Sequence, residues 1–474
     1  MRGANDFGWG ASAVKVVRRG FLVVLLLLVS AGSTMLADAA PPPSLQQQVE
    51  RWASDIGAPS MAVQIVDSEG LVDDASSGPE AGAPFVWGSV SKQLAAATVR
   101  GLESDGLLQD DTVVVDVLPQ AGHLLGDPQV TVGDLIRHTS GLPHDVSVTD
   151  DWTRRESASD AVDSMQQPSS IGPRGTFRYS SLNYLLVQAV VEQVSAGHYA
   201  DAVCRYVLDP AGASGTITDP DAFTAAVPDG HVPFFGTSRS VDVGVDSAGL
   251  GYGYLAGTID DLGRYASWRL GNLGDPVATD TGHGTAYGDG LYNEDIEGHD
   301  VWWHSGAVPG YYTYVALVPG EDRAIVLATN RYGEIEAERV ASVGRNVTTL
   351  VLDGSASDLP SSMAPVVLGV LLGLATVLLA ASGWSVVRGT GERSAVVAIV
   401  RGVAAVVVGG AVIVGAVIGV PALAGGTLSA MWLWAPDVTV AFWVLLAAVF
   451  VATVVVVIKS AVGYRKLRSR TAEG

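Results

Sequence analysis

Apolar and polar positions follow three different patterns along this chain. Near the start, Phe21–Val29 is a short unbroken apolar run. Residues 41–360 mix apolar and polar positions as a folded, water-facing domain does, and beyond them Ala364–Val387, Gly402–Leu423 and Val438–Ile458 are apolar almost throughout. In the middle part, helical spacing of apolar residues predicts helices over Leu45–Ile56, Ser91–Gly106, Tyr184–Ala196 and Leu255–Leu270, with a closing helix at Glu334–Leu352. Met61–Val66 reads as a strand before the polar turn Asp67–Gly70. Tyr312–Val318 and Ala324–Thr329 read as a hairpin across Pro319–Arg323, and Val132–His138 leads into the glycine/proline turn Thr139–Pro143. Strands at both ends with helices between them predict an α+β domain, one sheet built from both termini around a helical insertion.

Each of the three C-terminal runs is long enough to cross a bilayer. Arg388, Arg393 and Arg401 lie between the first two, and Lys459, Arg465, Lys466, Arg468 and Arg470 follow the third. The link Ala424–Asp437 between the second and third carries no Lys or Arg. The positive-inside rule then places the tail in the cytoplasm and residues 41–360 outside. The N-terminus points to the same side: Arg2, Lys15, Arg18 and Arg19 precede the apolar run, and the small-residue site Ala37-Asp38-Ala39 follows it. Residues 1–40 therefore read as an export signal, similar to a twin-arginine signal at Arg18-Arg19, with an uncleaved anchor as the alternative. Three units are expected: 1–40, 41–360 and 361–474.

Charge narrows the partners. Residues 41–360 hold 44 Asp and Glu against 16 Lys and Arg, a formal charge of −28. That field disfavours nucleic acid and anionic membrane surfaces. The acids are dispersed, as on a solvated folded surface, and so strong an excess suits a high-salt medium that screens self-repulsion. The lone Cys204 excludes an intrachain disulfide framework. The eight histidines show neither His-Glu-x-x-His nor a paired ligand spacing, so no metal or other cofactor is assigned.

One short stretch carries candidate chemistry. In Phe85-Val-Trp-Gly-Ser-Val-Ser-Lys92, Ser89 and Lys92 stand three apart and share a face if a helix starts at Ser89. A serine hydroxyl needs a base beside it, and a desolvated lysine can supply one. The spacing alone is weak, because Ser12-Ala-Val-Lys15 has it too. Composition strengthens it. Between residues 41 and 360 every lysine or arginine except Lys92 is arginine, which cannot give up its proton.

Four stretches in order resemble the serine beta-lactamase and penicillin-binding superfamily, most of all its class C-like branch of beta-lactamases, D-alanyl-D-alanine peptidases, D-aminopeptidases and esterases. They are Trp87-Gly-Ser89-Val-Ser-Lys92, Leu135-Ile-Arg-His-Thr-Ser-Gly-Leu-Pro143, Phe177-Arg-Tyr179-Ser-Ser181-Leu-Asn-Tyr184, and Trp303-His304-Ser305-Gly306. The resemblance covers about residues 45–350 and implies a beta-lactamase/transpeptidase-like fold with an antiparallel sheet. It implies Ser89 as nucleophile, Lys92 and Tyr179 sharing the acid and base work, and an oxyanion hole from the backbone N–H groups of Ser89 and Ala307. It also implies substrate contacts at Ser181, His304, Ser305 and Gly306. Ser181 departs from the asparagine usual there, and His304 stands where many relatives carry lysine. Both favour an esterase or peptidase over a true beta-lactamase. The expected substrate is a small ester, amide or peptide; the rival reading is a non-hydrolytic penicillin-binding-type receptor signalling through the spans.

Overall fold

The computed structural model describes residues 43–144, 149–168, 170–389, 394–423 and 426–472. The expected export signal lies outside the described residues, as do Arg393 and the start of the link at Ala424.

Both ends of the domain meet in one sheet, as the pattern predicts. Strands β1 (Met61–Asp67) and β2 (Gly70–Ser77) come from the N-terminal side. Outside the sheet, β3 (Phe85–Val86) pairs with β6 (Ala256–Gly257), and β4 (Gly230–Phe234) forms a hairpin with β5 (Thr237–Val241). The C-terminal side supplies β7 (Thr279–Asp280), β8 (Ala286–Gly288), β9 (Leu291–Ile296), β10 (His299–Val308), β11 (Tyr311–Val318) and β12 (Arg323–Thr329). Their order is β2-β1-β12-β11-β10-β9-β8-β7, antiparallel throughout, with Met61 opposite Thr329 where first strand meets last.

Two apolar clusters sandwich this sheet. On one face, Val49 and Trp52 of helix Leu45–Ile56 and Val340, Val343 and Val347 of helix Ala337–Asp353 pack against Tyr312, Tyr314 and Ala316. On the other, helices Ser91–Ser104, Ser181–Ser195 and Ile259–Gly271 bury Leu94, Leu185 and Leu262 against Val315 and Leu317. Every residue of β11 is buried, so apart from Thr313 its apolar residues occupy both faces rather than alternating with polar ones.

Several helix starts differ from the expected ones for local reasons. The helix expected from Leu255 begins at Ile259, because Ala256 and Gly257 pair with β3 and Thr258 then caps the helix in a reciprocal box with Asp261. The closing helix begins at Ala337 after the tight turn Glu334–Glu336. Gly88–Val90 form a similar turn, and the regular helix starts at Ser91, not Ser89. The three apolar helices, Ala364–Val387, Ala395–Leu423 and Pro436–Ala472, are each long and apolar enough to cross a membrane. The last two extend beyond the apolar runs, so the basic residues after Ile458 are helical too.

Candidate active site

Ser89 is held where two stretches of backbone nearly touch. Gly88 has φ 52°, and a Cβ on it would lie 2.5 Å from Ala307 N. A Cβ on Gly306 would sit 1.9 Å from Trp87 O and 2.9 Å from Ser89 N. Only glycine fits at either position, so the Trp87–Ser89 turn lies directly on β10. Thr313 Oγ1 donates to Trp87 O at 2.6 Å and the buried Trp87 indole donates to Gly257 O at 3.3 Å. The turn cannot shift without breaking these bonds, and it brings the backbone at Ser89 and Ala307 side by side.

Lys92 is fully buried, with Nζ 2.9 Å from Ser89 Oγ, 2.9 Å from Tyr252 O and 3.3 Å from Ser181 Oγ. Tyr179 Oη reaches Ser89 Oγ from the other side, also at 2.9 Å. Burial pushes the lysine pKa down to about 7, against the opposing pull of the Asp150 charge. Burial drives the Tyr179 phenol the other way, well above its usual range, with its bond to Ser89 opposing. At neutral pH the amine is thus partly free while the phenol keeps its proton.

His304 is buried, its ring 6.0 Å from that of Tyr179 and 5.4 Å from that of Tyr292. Its Nδ1 lies 2.5 Å from Ser305 O. A carbonyl only accepts, so the proton is on Nδ1 and Nε2 carries a lone pair, which is buried and meets no partner among the described residues. Burial lowers the pKa to about 3, with the Lys92 charge acting in the same direction. His304 is therefore neutral and offers Nε2 as an acceptor.

The alternation of β10 divides the last motif between two faces. His304 and Gly306 face the Ser89 side. Ser305 and Ala307 pair with Tyr314 and Tyr312, which belong to the opposite cluster. The Ser305 hydroxyl interacts with Tyr312, so the part of Ser305 on the Ser89 side is its backbone. Ser181, at the start of its helix, places its Oγ 3.3 Å from Lys92 Nζ.

One residue without an expected role turns out to be central. His138 is fully buried at φ 57°, and its ring lies tilted against those of Tyr179 at 4.6 Å, Tyr287 at 4.7 Å and Tyr184 at 5.2 Å. Ser180 N donates to its Nδ1 at 3.3 Å, and Asn183 Nδ2 approaches the same atom at 2.9 Å. Asn183 Oδ1 also accepts from Ser140 Oγ at 2.5 Å. His138 thus backs the Tyr179 ring and fixes the backbone beside it. Its place in the Leu135–Pro143 stretch was the signal available in the sequence; its left-handed backbone is visible only in the fold.

The family model described as Beta-lactamase matches residues 45–347, and the chain belongs to that family of serine hydrolases. It is 29% identical over 283 residues to penicillin-binding protein 4 of Amycolatopsis lactamdurans, covering 52% of this chain and 72% of that one. Unguisins hydrolase of Aspergillus campestris is 23% identical over 336 residues, which is 60% of each chain. Among solved structures, a class C beta-lactamase from Rhodobacter sphaeroides superposes with a TM-score of 0.52 at 19% identity, covering 64% of this chain and 97% of the other. At that identity the likeness concerns the fold.

Proposed function

We propose that the chain is a membrane-anchored hydrolase that cleaves an ester or amide through an acyl intermediate on Ser89, with its catalytic domain facing outward. The observation that carries this reading is the 2.9 Å approach of a fully buried Lys92 Nζ to Ser89 Oγ. Free amine at Lys92 takes the Ser89 proton as Oγ bonds to the substrate carbonyl carbon. The resulting oxyanion lies between the Ser89 and Ala307 N–H groups, a donor pair of which each member is typically worth about 3 kcal/mol. As the carbonyl re-forms, the scissile bond breaks. Tyr179 passes its proton to the departing alkoxide or amine and regains one from the Lys92 ammonium. Water then enters and gives a proton to Lys92 as its oxygen bonds to the acyl carbon; the bond from that carbon to Ser89 Oγ breaks, the acid leaves, and the Lys92 ammonium returns its proton to Oγ.

Specificity follows from what flanks Ser89. A neutral His304 supplies no charge for a substrate carboxylate, and Ser181 reaches less far than an asparagine amide toward an acylamino group. This supports an esterase or peptidase above a beta-lactamase. The positive residues flanking the apolar helices support three spans with the hydrolase domain outside. Reaction of the full-length protein with a fluorophosphonate, followed by mapping of the adduct, tests the mechanism. The expected adduct is on Ser89, and an unreactive or differently labelled protein would overturn it.

A further inference from the structure

The membrane-facing end of the hydrolase domain is recognisable because two of the apolar helices begin there. Helix Ala364–Val387 follows a segment tied to the domain: Arg339 holds Pro360 O and Ser362 Oγ donates to Glu336 Oε1 at 3.0 Å. Helix Pro436–Ala472 begins beside the β4–β5 hairpin, where Phe235 N–H donates to Asp437 Oδ2 at 3.3 Å. Just before it, the Trp434 ring meets Tyr332 edge-on at 5.8 Å, and the Arg239 guanidinium lies 4.8 Å above the Trp432 ring and 5.9 Å from that of Phe234.

Four aromatic side chains at this level come from the helix connection and the hairpin, Trp432, Trp434, Phe234 and Phe235, and two of them remain open. Phe235 is 42% exposed and Trp432 41% exposed. Phe235 also stands at the hairpin tip with φ 46°, a left-handed position that a bulky side chain occupies only at a cost. An exposed phenylalanine in a strained turn makes little sense in water. It fits the interface of a bilayer, where aromatic rings collect and arginine keeps its charge in the headgroups while its stem lies on apolar surface. The domain's formal charge of −28 disfavours attraction to anionic headgroups, and aromatic insertion does not depend on charge.

We propose that the β4–β5 hairpin is a foot on which the hydrolase domain stands in the headgroup layer of a phospholipid bilayer, with Phe235 inserted beside the mouth of the third span. The inference rests on reading the apolar helices as membrane spans. The foot sets the height and tilt of the domain, and the β4 end of the hairpin joins the site: His231 N–H donates to Gly310 O at 3.2 Å, three residues beyond Ala307.

Spin-label depth in phosphatidylcholine nanodiscs tests the foot on the full chain. Single cysteines are placed at Phe235, Val377 or Asp275 in a Cys204→Ser background, and accessibility to oxygen is compared with that to a nickel chelate. Val377 lies within the first apolar helix and Asp275 on an exposed loop. The expected order of the oxygen-to-nickel ratio is 377 highest, 235 intermediate and several-fold above 275. A label at 235 as open to nickel as that at 275, with 377 deep, overturns the foot alone. A label at 377 open to nickel overturns the spans and the foot with them. Neither result depends on hydrolysis.

Discussion

Lys92 Nζ and the main-chain oxygen of Tyr252 are 2.9 Å apart, and that contact decides how the amine is oriented. A neutral amine has two protons and one lone pair. The Tyr252 carbonyl can only accept, and Ser181 Oγ can accept as well, so both protons are used away from Ser89. The lone pair is left for the Ser89 hydroxyl proton. Orientation and burial together make a base of a residue that is ordinarily a cation.

Ser89→Ala removes the bond-forming atom and little packing. Ester hydrolysis should fall by roughly 10⁴-fold or more, as for loss of a catalytic nucleophile elsewhere. The melting temperature should stay near that of the parent. Parent-level turnover by the alanine variant would refute the mechanism.

Acid should switch the enzyme off as Lys92 gains its proton. The kcat/KM profile for a neutral ester should rise with pH and level off above about 7. Asp150→Asn removes a charge that holds the Lys92 pKa up, so the acidic limb should move to lower pH. Lys92→Arg should be nearly as damaging as Lys92→Ala, because arginine keeps the charge and cannot act as base. An arginine variant that stays active would make the role purely electrostatic.

The same burial carries a stability cost. Lys92 binds its proton less tightly folded, near 7, than unfolded, near 10.5. Between those pH values the unfolded chain holds more protons, so this group's contribution becomes more favourable as pH rises through that window. Lys92→Met should abolish turnover and raise the melting temperature by a few degrees at pH 7, with less gain at pH 10. Differential scanning calorimetry at the two pH values checks the sign.

Ser181 and His304 predict a ranking of substrates. Simple neutral esters should be turned over faster than penicillins or peptides ending in D-Ala-D-Ala. Ser181→Asn should narrow the gap for acylamino substrates by about 1–3 kcal/mol in kcat/KM, the typical worth of one buried hydrogen-bond partner. Steady-state kinetics on both classes, in high salt, decides this. A parent faster on penicillins would reverse the ranking.

Topology is checked by labelling single cysteines in the Cys204→Ser protein from either side. Positions in 41–360 and the link 424–437 should react from outside, and Arg388–Arg401 and the tail from Lys459 only from inside. External labelling near Arg393 would end the three-span arrangement.

Much of the site was legible because its chemistry is local. Ser89 and Lys92 are one turn apart, Tyr179 lies in a short motif that the fold carries to the same hydroxyl, and His304 lies in another that it carries beside the Tyr179 ring. The central strands were legible because burial on both faces makes them mostly apolar. The β4–β5 hairpin was not: Thr237-Ser-Arg-Ser240 are exposed and carry no apolar alternation. Leu255-Ala-Gly257 extended an apolar run and hid β6, although Thr258 and Asp261 spelled out a cap three residues apart. The tautomer of His304 and the outward turn of Ser305 arise from strand register and from a carbonyl one residue away, which composition does not encode.

Lys92 is the only primary amine on a side chain between residues 41 and 360. An amine-seeking electrophile entering this domain therefore meets a single target, poised near pH 7 and beside the hydroxyl it activates. Salicylaldehydes or activated esters that must usually be rescued from a crowd of surface lysines would find none here. A reagent shaped for the site could silence the protein by acylation or imine formation at one nitrogen, leaving the acidic exterior untouched.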